Sequence, residues 1–366
     1  YQYFVFQLTQ LKNMDLNNII LIFLLIGFNL FFYKYFLFEH NKYKLNFLID
    51  NDFKKPQAFH VSPIPMVGGF ILFFSFLIIF CYFAFYKNST FIEYLSICTL
   101  LFFLGIIDDL KVNIKPLIRL ILMFGFLLVL ISYNNFYIEK TGIETLNKWL
   151  ENSKIFSLIF VCLCFLFVIN GANLIDGYNG LLGFHSLIIL INLFLINYLG
   201  ENSNLANLLF LKILILSIFL IFNFPKAKIF LGDSGSYFLG AFIAISTIIT
   251  SIENPEISPF YFCILLFYLF FEVFFSFFRK LIKEKSSPIH PDGKHLHMLL
   301  YKILLKKSND KLKSNYYVSI ITNLIYLILI IPAILMMKNG LFCKYYSLLF
   351  FIVYIFSYKI AYKKVK

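Results

Sequence analysis

Four aspartates stand out because each ends an apolar run beside small or turn-forming residues. Asp108 and Asp109 are adjacent in GIIDDLKVNIKP, while Asp176 lies in NGANLIDGYNG and Asp233 in KIFLGDSGS. Carboxylates at the edge of an apolar environment are costly unless a cation or a metal offsets them. Oxygen ligands that leave room for phosphates suit Mg²⁺ or Mn²⁺. The pattern predicts a hard-cation site, although the adjacent pair alone is equally well explained by solvated acids that cap the next helix.

Other residues near these aspartates are suited to binding an anion. The glycines around Asp176 and Asp233 allow tight turns, whose backbone N–H groups can approach a phosphate. Neither turn is a Walker A motif, because no Gly-Lys-Ser/Thr follows. Lysine and histidine side chains could neutralise or hydrogen-bond phosphate and polar sugar groups, although lysines beside an apolar span also serve as interfacial anchors. The candidates are Lys54, Lys55, Lys294, His295 and His297.

The elements that must position these residues are membrane spans. The chain is 60% hydrophobic and 14% charged, with a mean hydropathy of +0.82, which excludes a soluble domain of 366 residues. A hydrocarbon core takes roughly 20 apolar residues as a helix. That length predicts eleven spans and an all-α, polytopic helical bundle. The predicted spans are 17–39, 66–86, 91–107, 115–133, 155–170, 181–199, 205–224, 237–252, 257–278, 317–337 and 341–361.

The basic residues predict how the bundle lies in the membrane. Eleven spans divide the connections into two alternating sets, and 23 of the 32 basic residues fall in one set against 6 in the other. The positive-inside rule makes the rich set cytoplasmic, with the N-terminus outside and the C-terminus inside a cell inner (plasma) membrane. The net charge of +13 then reflects orientation and attraction to anionic lipid, and nucleic-acid binding is not needed to explain it.

All of the unusual polar segments fall in the predicted cytoplasmic set. The opposite connections carry plain turn residues, except for 134–154, which predicts a short surface helix. An active site on one face of the membrane explains this sorting. A transporter, the rival from another class, would place charges or broken helices near mid-membrane in paired halves, and no internal repeat is present. A CDP-alcohol phosphotransferase would need its DG…AR…G…D…D run on one helix, which is absent.

The ends and the interior give further expectations. Residues 1–16 are expected to be an N-terminal extension in which Met14 is a candidate native start, residues 17–362 a single transmembrane domain, and 363–366 a cytoplasmic tail. The six cysteines lie in or beside apolar runs, which favours small hydrophobic side chains over disulfides or a zinc site. Glu272 lies within a predicted span and is expected to point into the bundle, where Lys212 and His185 would pair with unidentified partners.

Taken together, five segments resemble the polyprenyl-phosphate N-acetylhexosamine-1-phosphate transferases of glycosyltransferase family 4. They are FKKPQAFHVSPIPMVGG, GIIDDLKVNIKP, NGANLIDGYNG, FNFPKAKIFLGDSGS and SSPIHPDGKHLH, in that order. The family includes undecaprenyl-phosphate GlcNAc-1-phosphate transferases and phospho-MurNAc-pentapeptide transferases. The resemblance implies Mg²⁺-dependent transfer of a sugar 1-phosphate from a UDP-N-acetylhexosamine to undecaprenyl phosphate, with release of UMP. The product would initiate a cell-surface glycan such as O-antigen, capsule or teichoic acid.

The resemblance also implies roles for individual residues. Asp108 and Asp109 match the family's acidic pair near the lipid phosphate, and Asp176 completes the expected catalytic set. Asp233 matches the aspartate of the GD[ST]GS element that ligates magnesium, with Asn173 beside it in NxxNxxDG. Our mechanistic hypothesis is direct attack of the lipid phosphate on the sugar-side phosphorus, with one of the adjacent aspartates holding the proton. A covalent aspartyl-phosphate is the alternative.

The remaining matches concern substrate binding. His295 and His297 match the H-x-H-H loop over the nucleotide sugar, with Lys294 beside them, and Lys54 or Lys55 matches a phosphate-binding lysine. Asn173 is expected at the nucleotide as well as at the metal. The chain departs from the family at three positions, where members often have aspartate, arginine and histidine. Those positions hold Asn179, Met66 and Met298. The number of spans is similar to that of the GlcNAc branch of the family, and this resemblance implies GlcNAc-1-phosphate as the transferred group, with phospho-MurNAc-pentapeptide as the alternative. A homodimer is left open.

Overall fold

The computed structural model describes residues 16–43, 48–50, 63–87, 89–112, 114–138, 140–285, 287 and 292–366. The expected N-terminal extension therefore lies almost wholly outside the described residues, as do Lys54 and Lys55. The first helices are α1 (Leu16–Tyr43), α2 (Gly68–Tyr86), α3 (Ile92–Asp109), α4 (Pro116–Tyr133), α5 (Glu144–Asn152), α6 (Lys154–Ile175) and α7 (Leu181–Leu199). They are followed by α8 (Ser203–Asn223), α9 (Gly232–Glu253), α10 (Pro259–Leu265), α11 (Phe267–Phe278), α12 (Leu296–Ser308), α13 (Lys311–Leu335) and α14 (Gly340–Val365).

A helix covers every predicted span, so the expectation of an all-α, multi-pass membrane bundle is confirmed. Within the described part of the chain, nine helices are long and apolar enough to cross a bilayer. The helix α3 is not one of the nine, because it carries three acidic residues, Glu93, Asp108 and Asp109. The short surface helix expected within 134–154 is present as α5. The helix α12, which starts inside the histidine segment, was not among the predicted elements.

One predicted span is broken. The sequence predicted a continuous helix over 257–278, but α10 and the helical stretch that begins with α11 are bent by 74° at Leu266. A break inside a bilayer frees backbone groups that must find partners within the protein. The hydroxyl of Tyr326, on α13, donates to the freed carbonyl of Leu265 at 2.5 Å. The partner is far away in sequence, and therefore hydropathy gave no sign of the bend.

Helix α9 is the centre of the bundle. Its residues are buried almost all round, and it packs against α2, α3, α6 and α7. The approach of α3 is close enough that a Cβ atom on Gly105 would collide with the backbone of Asp233 and Ser234. Backbone contact at this point fixes the end of α3 against the start of α9. In the peripheral helices α1, α4 and α14, fewer than a quarter of the residues in the apolar stretch are buried, as expected for lipid-facing helices.

A two-stranded antiparallel ribbon, unexpected in the helical prediction, leads into this contact. Its strands are β1 (Ile49–Asp50) and β2 (Ile64–Pro65), with Ile49 opposite Pro65. Phe230 N–H donates to the carbonyl of Pro65 at 2.9 Å, and Gly68 N–H donates to the carbonyl of Phe230 at 2.9 Å. These bonds tie the segment before α2 to the segment that enters α9.

The polar residues expected in the bundle interior are buried. Glu272, Lys212 and His185 are each at most 1% exposed. The ammonium of Lys212 lies 3.8 Å from the ring centroid of Phe238, an arrangement that stabilises a cation away from water. His185 Nδ1 lies 3.2 Å from the side-chain oxygen of Asn323. The expectation that Glu272 points into the bundle is confirmed.

Candidate active site

The four aspartates meet where three helices end. Asp108 and Asp109 close α3, Asp176 directly follows α6, and Asp233 lies in the first turn of α9. Two carboxylates are joined through the backbone, because Asp109 Oδ1 accepts a hydrogen bond from Asp233 N–H at 2.8 Å. The grouping expected from the sequence is therefore present at one end of the bundle.

Asp109 has the role of a helix cap. Its second carboxylate oxygen accepts from Ser234 N–H at 3.0 Å, so the two oxygens satisfy two N–H groups at the start of α9. A helix N-terminus leaves such groups without intrahelical partners and favours a negative charge. Gly232 precedes them at φ +77°, and a Cβ atom there would lie 2.8 Å from Asp109 Oδ2. The side chain of Asp109 is thus enclosed, with the residue only 5% exposed.

Asp108 faces different partners. Its Oδ2 accepts from Arg119 Nη1 at 2.8 Å and from the hydroxyl of Tyr237 at 3.2 Å. The side chains of Arg119 and Asp108 are 27% and 10% exposed, so this ion pair lies at the accessible edge of the cluster. Arg119 was not among the residues predicted for the site. Its position in the first turn of α4, directly after the Asp108 loop, is the feature of the sequence that could have indicated this contact.

Asn173 holds Asp233. Its side-chain nitrogen donates to Asp233 Oδ1 at 2.7 Å and to the hydroxyl oxygen of Ser236 at 3.0 Å. The structure therefore brings together the two residues expected at a metal. The contact seen is between the amide N–H and the carboxylate, so the amide orients Asp233.

Asp176 is a member of the cluster whose negative charge is disfavoured by its surroundings. Burial raises the pKa of Asp176 well above its ordinary range, and the charges of Asp233 and Asp109 raise it further. A bound cation would relieve that repulsion. Among the described residues, no three His, Cys, Asp or Glu side chains converge as a ready-made chelate. Mg²⁺ commonly takes only one or two carboxylates and completes its shell with water and substrate phosphates, so Asp176 and Asp233 fit it.

Asn179 stands where the family often has an aspartate, and here it has a structural role. Its side-chain nitrogen donates to the carbonyl of Pro225 at 2.9 Å, and its backbone N–H donates to Asn315 Oδ1 at 2.8 Å. A carboxylate could not make the first of these bonds. The asparagine at this position therefore supplies a hydrogen-bond donor that an aspartate would lack.

The histidine segment lies beside the same cluster. His297 is fully buried, with Nδ1 3.1 Å from the hydroxyl of Tyr268 and its ring packed edge-on against Tyr178, two residues after Asp176. Burial lowers the pKa of His297 to about 4, partly opposed by the charge of Glu272, so this ring is neutral. Within the described residues, His297 Nε2 has no hydrogen-bond partner.

The other two predicted binding residues of this segment face protein carboxylates. Lys294 Nζ lies 3.0 Å from Glu284 Oε1. His295 is 4% exposed, and its Nδ1 lies 3.0 Å from Glu272 Oε1. The sequence alone gave no sign of the His295 pairing, because Glu272 belongs to an apolar helix more than twenty residues away.

Comparison with known proteins places the cluster in a family. The model of glycosyl transferase family 4 matches residues 91–251, which contain all four aspartates and Asn173. A phospho-N-acetylmuramoyl-pentapeptide-transferase from Dictyoglomus turgidum is 36% identical over 242 residues, covering 63% of this chain and 75% of that protein. An undecaprenyl-phosphate alpha-N-acetylglucosaminyl 1-phosphate transferase from Thermotoga maritima is 30% identical over 257 residues, covering 69% of this chain and 72% of that protein. The protein of the same name from Escherichia coli O157:H7 is 25% identical over 248 residues, with 66% of each chain covered.

Proposed function

The chain belongs to glycosyl transferase family 4, as a membrane phosphotransferase that acts on polyprenyl phosphate, and from this we propose that it moves GlcNAc-1-phosphate from UDP-GlcNAc to undecaprenyl phosphate. The observation that carries the proposal is the contact between Asp109, Asp233 and Asn173, which joins three family segments in one cluster. The product would be undecaprenyl-pyrophosphoryl-GlcNAc, with UMP released.

Phosphoryl transfer between two anions depends on positioning and on offsetting charge. An oxygen of the lipid phosphate attacks the sugar-side phosphorus, a new P–O–P bond forms, and UMP leaves with the electron pair of the broken bond. Of the adjacent aspartates, Asp108 suits the lipid phosphate, because Asp109 is occupied by two backbone N–H groups. Arg119, paired with Asp108 at the accessible edge, is positioned to share an incoming phosphate. The covalent aspartyl-phosphate route stays the alternative.

Asp176 and Asp233, with Asn173 orienting the latter, would hold Mg²⁺. When bound, the cation would neutralise charge on the pyrophosphate of the donor. We further propose that this end of the bundle faces the cytoplasm, where nucleotide sugars are found, as the excess of basic residues in the same connections favours. Such a site, in a cell inner membrane, could initiate a surface glycan.

A second donor has a specific observation in its favour. The relative from Dictyoglomus turgidum, at 36% identity, is named for transfer of phospho-MurNAc-pentapeptide. The reaction and the lipid acceptor are the same in kind, and only the sugar that the donor pocket accepts differs. Both candidates therefore use the same cluster and belong in the same assay.

The test is release of UMP by purified protein in detergent with undecaprenyl phosphate, Mg²⁺ and either UDP-GlcNAc or UDP-MurNAc-pentapeptide. Release of UMP with UDP-GlcNAc alone supports the proposal. Release of UMP with UDP-MurNAc-pentapeptide alone means that the transferred group is phospho-MurNAc-pentapeptide. Asp233→Asn and Asp108→Asn should each abolish transfer without lowering expression. Glu151→Gln, which changes an exposed acid on α5, is the matched control.

Three outcomes would count against parts of the proposal. An active Asp233→Asn protein would refute the metal role of that residue. Full activity in EDTA, where Mg²⁺ and Mn²⁺ are both removed, would exclude a divalent cation. No UMP with any UDP-sugar, together with substrate flux in liposomes, would favour the transporter reading over the enzyme.

A further inference from the structure

A buried carboxylate outside the aspartate cluster contacts the histidine segment. Glu272, on α11 beyond the bend, is 1% exposed. Its Oε1 lies 3.0 Å from His295 Nδ1 and accepts from Leu296 N–H at 3.1 Å. Its Oε2 accepts from the hydroxyl of Tyr354 at 2.7 Å. A charge this deeply buried is tolerated because hydrogen bonds satisfy both of its oxygens.

The contact with Leu296 caps a helix from outside. Leu296 is the first residue of α12, and His295, the residue before it, makes no capping hydrogen bond with its own side chain. The first N–H groups of a helix need an external acceptor, and a negative charge there is favoured by the helix dipole. Glu272 supplies both and thereby fixes where α12 begins.

His295 is held on both sides. Its Nδ1 faces Glu272, and its Nε2 lies 3.5 Å from Asp292 Oδ1. Asp292 is in turn fixed by Arg279 Nη2 at 2.7 Å. With both ring nitrogens facing protein carboxylates, His295 is suited to orienting the segment. The ring of His297 stacks on that of His295, with 5.7 Å between the ring centroids. Among the described residues, His297 Nε2 has no hydrogen-bond partner.

Tyr354 links this arrangement to the last helix. It lies on α14, is 4% exposed, and packs its ring edge-on against Phe271 at 4.9 Å. One turn later on the same helix, the hydroxyl of Tyr358 is also buried but has no hydrogen-bond partner within the described residues. The two tyrosines therefore share a helix and an aromatic environment and differ in whether the hydroxyl reaches a carboxylate.

We infer that Tyr354 and Glu272 are positioning residues of the transfer reaction, which hold the His295–His297 segment against the Asp176 loop from the C-terminal helix. The inference rests on the proposed function, in which this segment binds the nucleotide sugar. Both residues lie on helices outside the aspartate cluster. Loss of either contact should therefore weaken use of the UDP-sugar and leave use of the lipid acceptor unchanged.

The experiment compares Tyr354→Phe with Tyr358→Phe in the full-length protein. We expect Tyr354→Phe to raise KM for the UDP-sugar about tenfold, which is the scale of losing one hydrogen bond to a charged acceptor, with KM for undecaprenyl phosphate within about twofold of wild type. Tyr358→Phe should leave both constants unchanged. Glu272→Gln, which keeps acceptor and donor atoms but removes the charge, should raise the donor KM further.

A second measurement is independent of catalysis. Hydrogen exchange at the backbone amides of residues 295–300 should become faster in Tyr354→Phe and stay at the wild-type rate in Tyr358→Phe. If wild type releases UMP but the two Phe variants have equal donor KM and equal exchange, the inference is overturned. If wild type releases no UMP with any UDP-sugar, the proposed function fails, and the exchange comparison then decides whether Tyr354 fixes the start of α12.

Discussion

Replacing each of the adjacent aspartates by asparagine should give different outcomes, because the two side chains have different partners. Asp109 accepts from two backbone N–H groups at the start of α9, at 2.8 and 3.0 Å. Asp108 accepts from the Arg119 guanidinium and the Tyr237 hydroxyl at the accessible edge. We expect Asp109→Asn to lose stability as well as transfer, and Asp108→Asn to lose transfer alone.

The size of the effect follows from the contacts of Asp109. An asparagine offers one oxygen, so one buried N–H group would face an amide nitrogen, at a cost of about 1–3 kcal/mol. Loss of the charge–dipole interaction adds roughly 0.3–1 kcal/mol. A total of about 1–4 kcal/mol, with an unfolding entropy of about 2.1 cal/mol/K per residue, lowers the thermal midpoint by about 2–5 °C. Asp108→Asn keeps an acceptor for both of its donors and should shift the midpoint by less than about 1 °C.

The assay can use the protein's own thiols. Cys98, Cys162 and Cys343 are buried and free, so a thiol-reactive fluorogenic dye in detergent reports their exposure as the protein unfolds. Release of UMP gives activity on the same preparations. Equal midpoints for Asp109→Asn and wild type would refute the capping role. A large loss of stability in Asp108→Asn would show that the assignment of different roles to Asp108 and Asp109 is wrong.

Three further predictions use the same two measurements. Because burial raises the pKa of Asp176, the folded protein keeps a proton that the unfolded chain releases, and stability is lost as pH rises from the ordinary carboxyl pKa of 3.8 through the raised value. Asp176→Asn removes this loss, so its midpoint should exceed that of wild type by an amount that grows as pH rises above the ordinary carboxyl pKa of 3.8, while transfer is abolished; a constant difference would contradict the assignment. Gly105→Ala should lower activity at least about tenfold, because the new methyl group meets the backbone of Ser234 and separates α3 from α9; unchanged activity would show that the helices separate freely. Asn179→Asp should lower the midpoint by about 3 °C, because a carboxylate meets the carbonyl of Pro225 without a donor; a stable, more active variant would favour an acid at that position.

Much of the fold was predictable because the signal is local. Apolar runs of the length of a bilayer located the long membrane helices, although not the helix α12, and the basic residues sorted the connections into two sets. The same logic placed Asp108, Asp176 and Asp233 at helix ends on one side, where the structure has them. Hydropathy did not reveal the break at Leu266, since its stabilising partner, Tyr326, lies on a distant helix.

The division of labour within the site depends on contacts between distant segments, which sequence spacing does not show. Asp109 becomes a cap because Gly105 lets α3 approach the start of α9. Arg119 joins the site because α4 begins beside Asp108. His295 was expected to bind substrate from its residue type, and it faces Glu272, which lies on α11, 23 residues earlier in the sequence. The type of each residue was visible in the sequence, and its partner was not.

The pairing of charges explains why a reaction between two anions would need a cation here. Arg119 is paired with Asp108, and Lys294 with Glu284. Both positive charges are therefore largely offset before a lipid phosphate or a UDP-sugar arrives. Burial and the charges of Asp233 and Asp109 already raise the pKa of Asp176, so a further anion would add repulsion. Since the substrates bring only negative charge, their binding and that of the proposed divalent cation should strengthen each other, and the affinity for each should rise when the other is present.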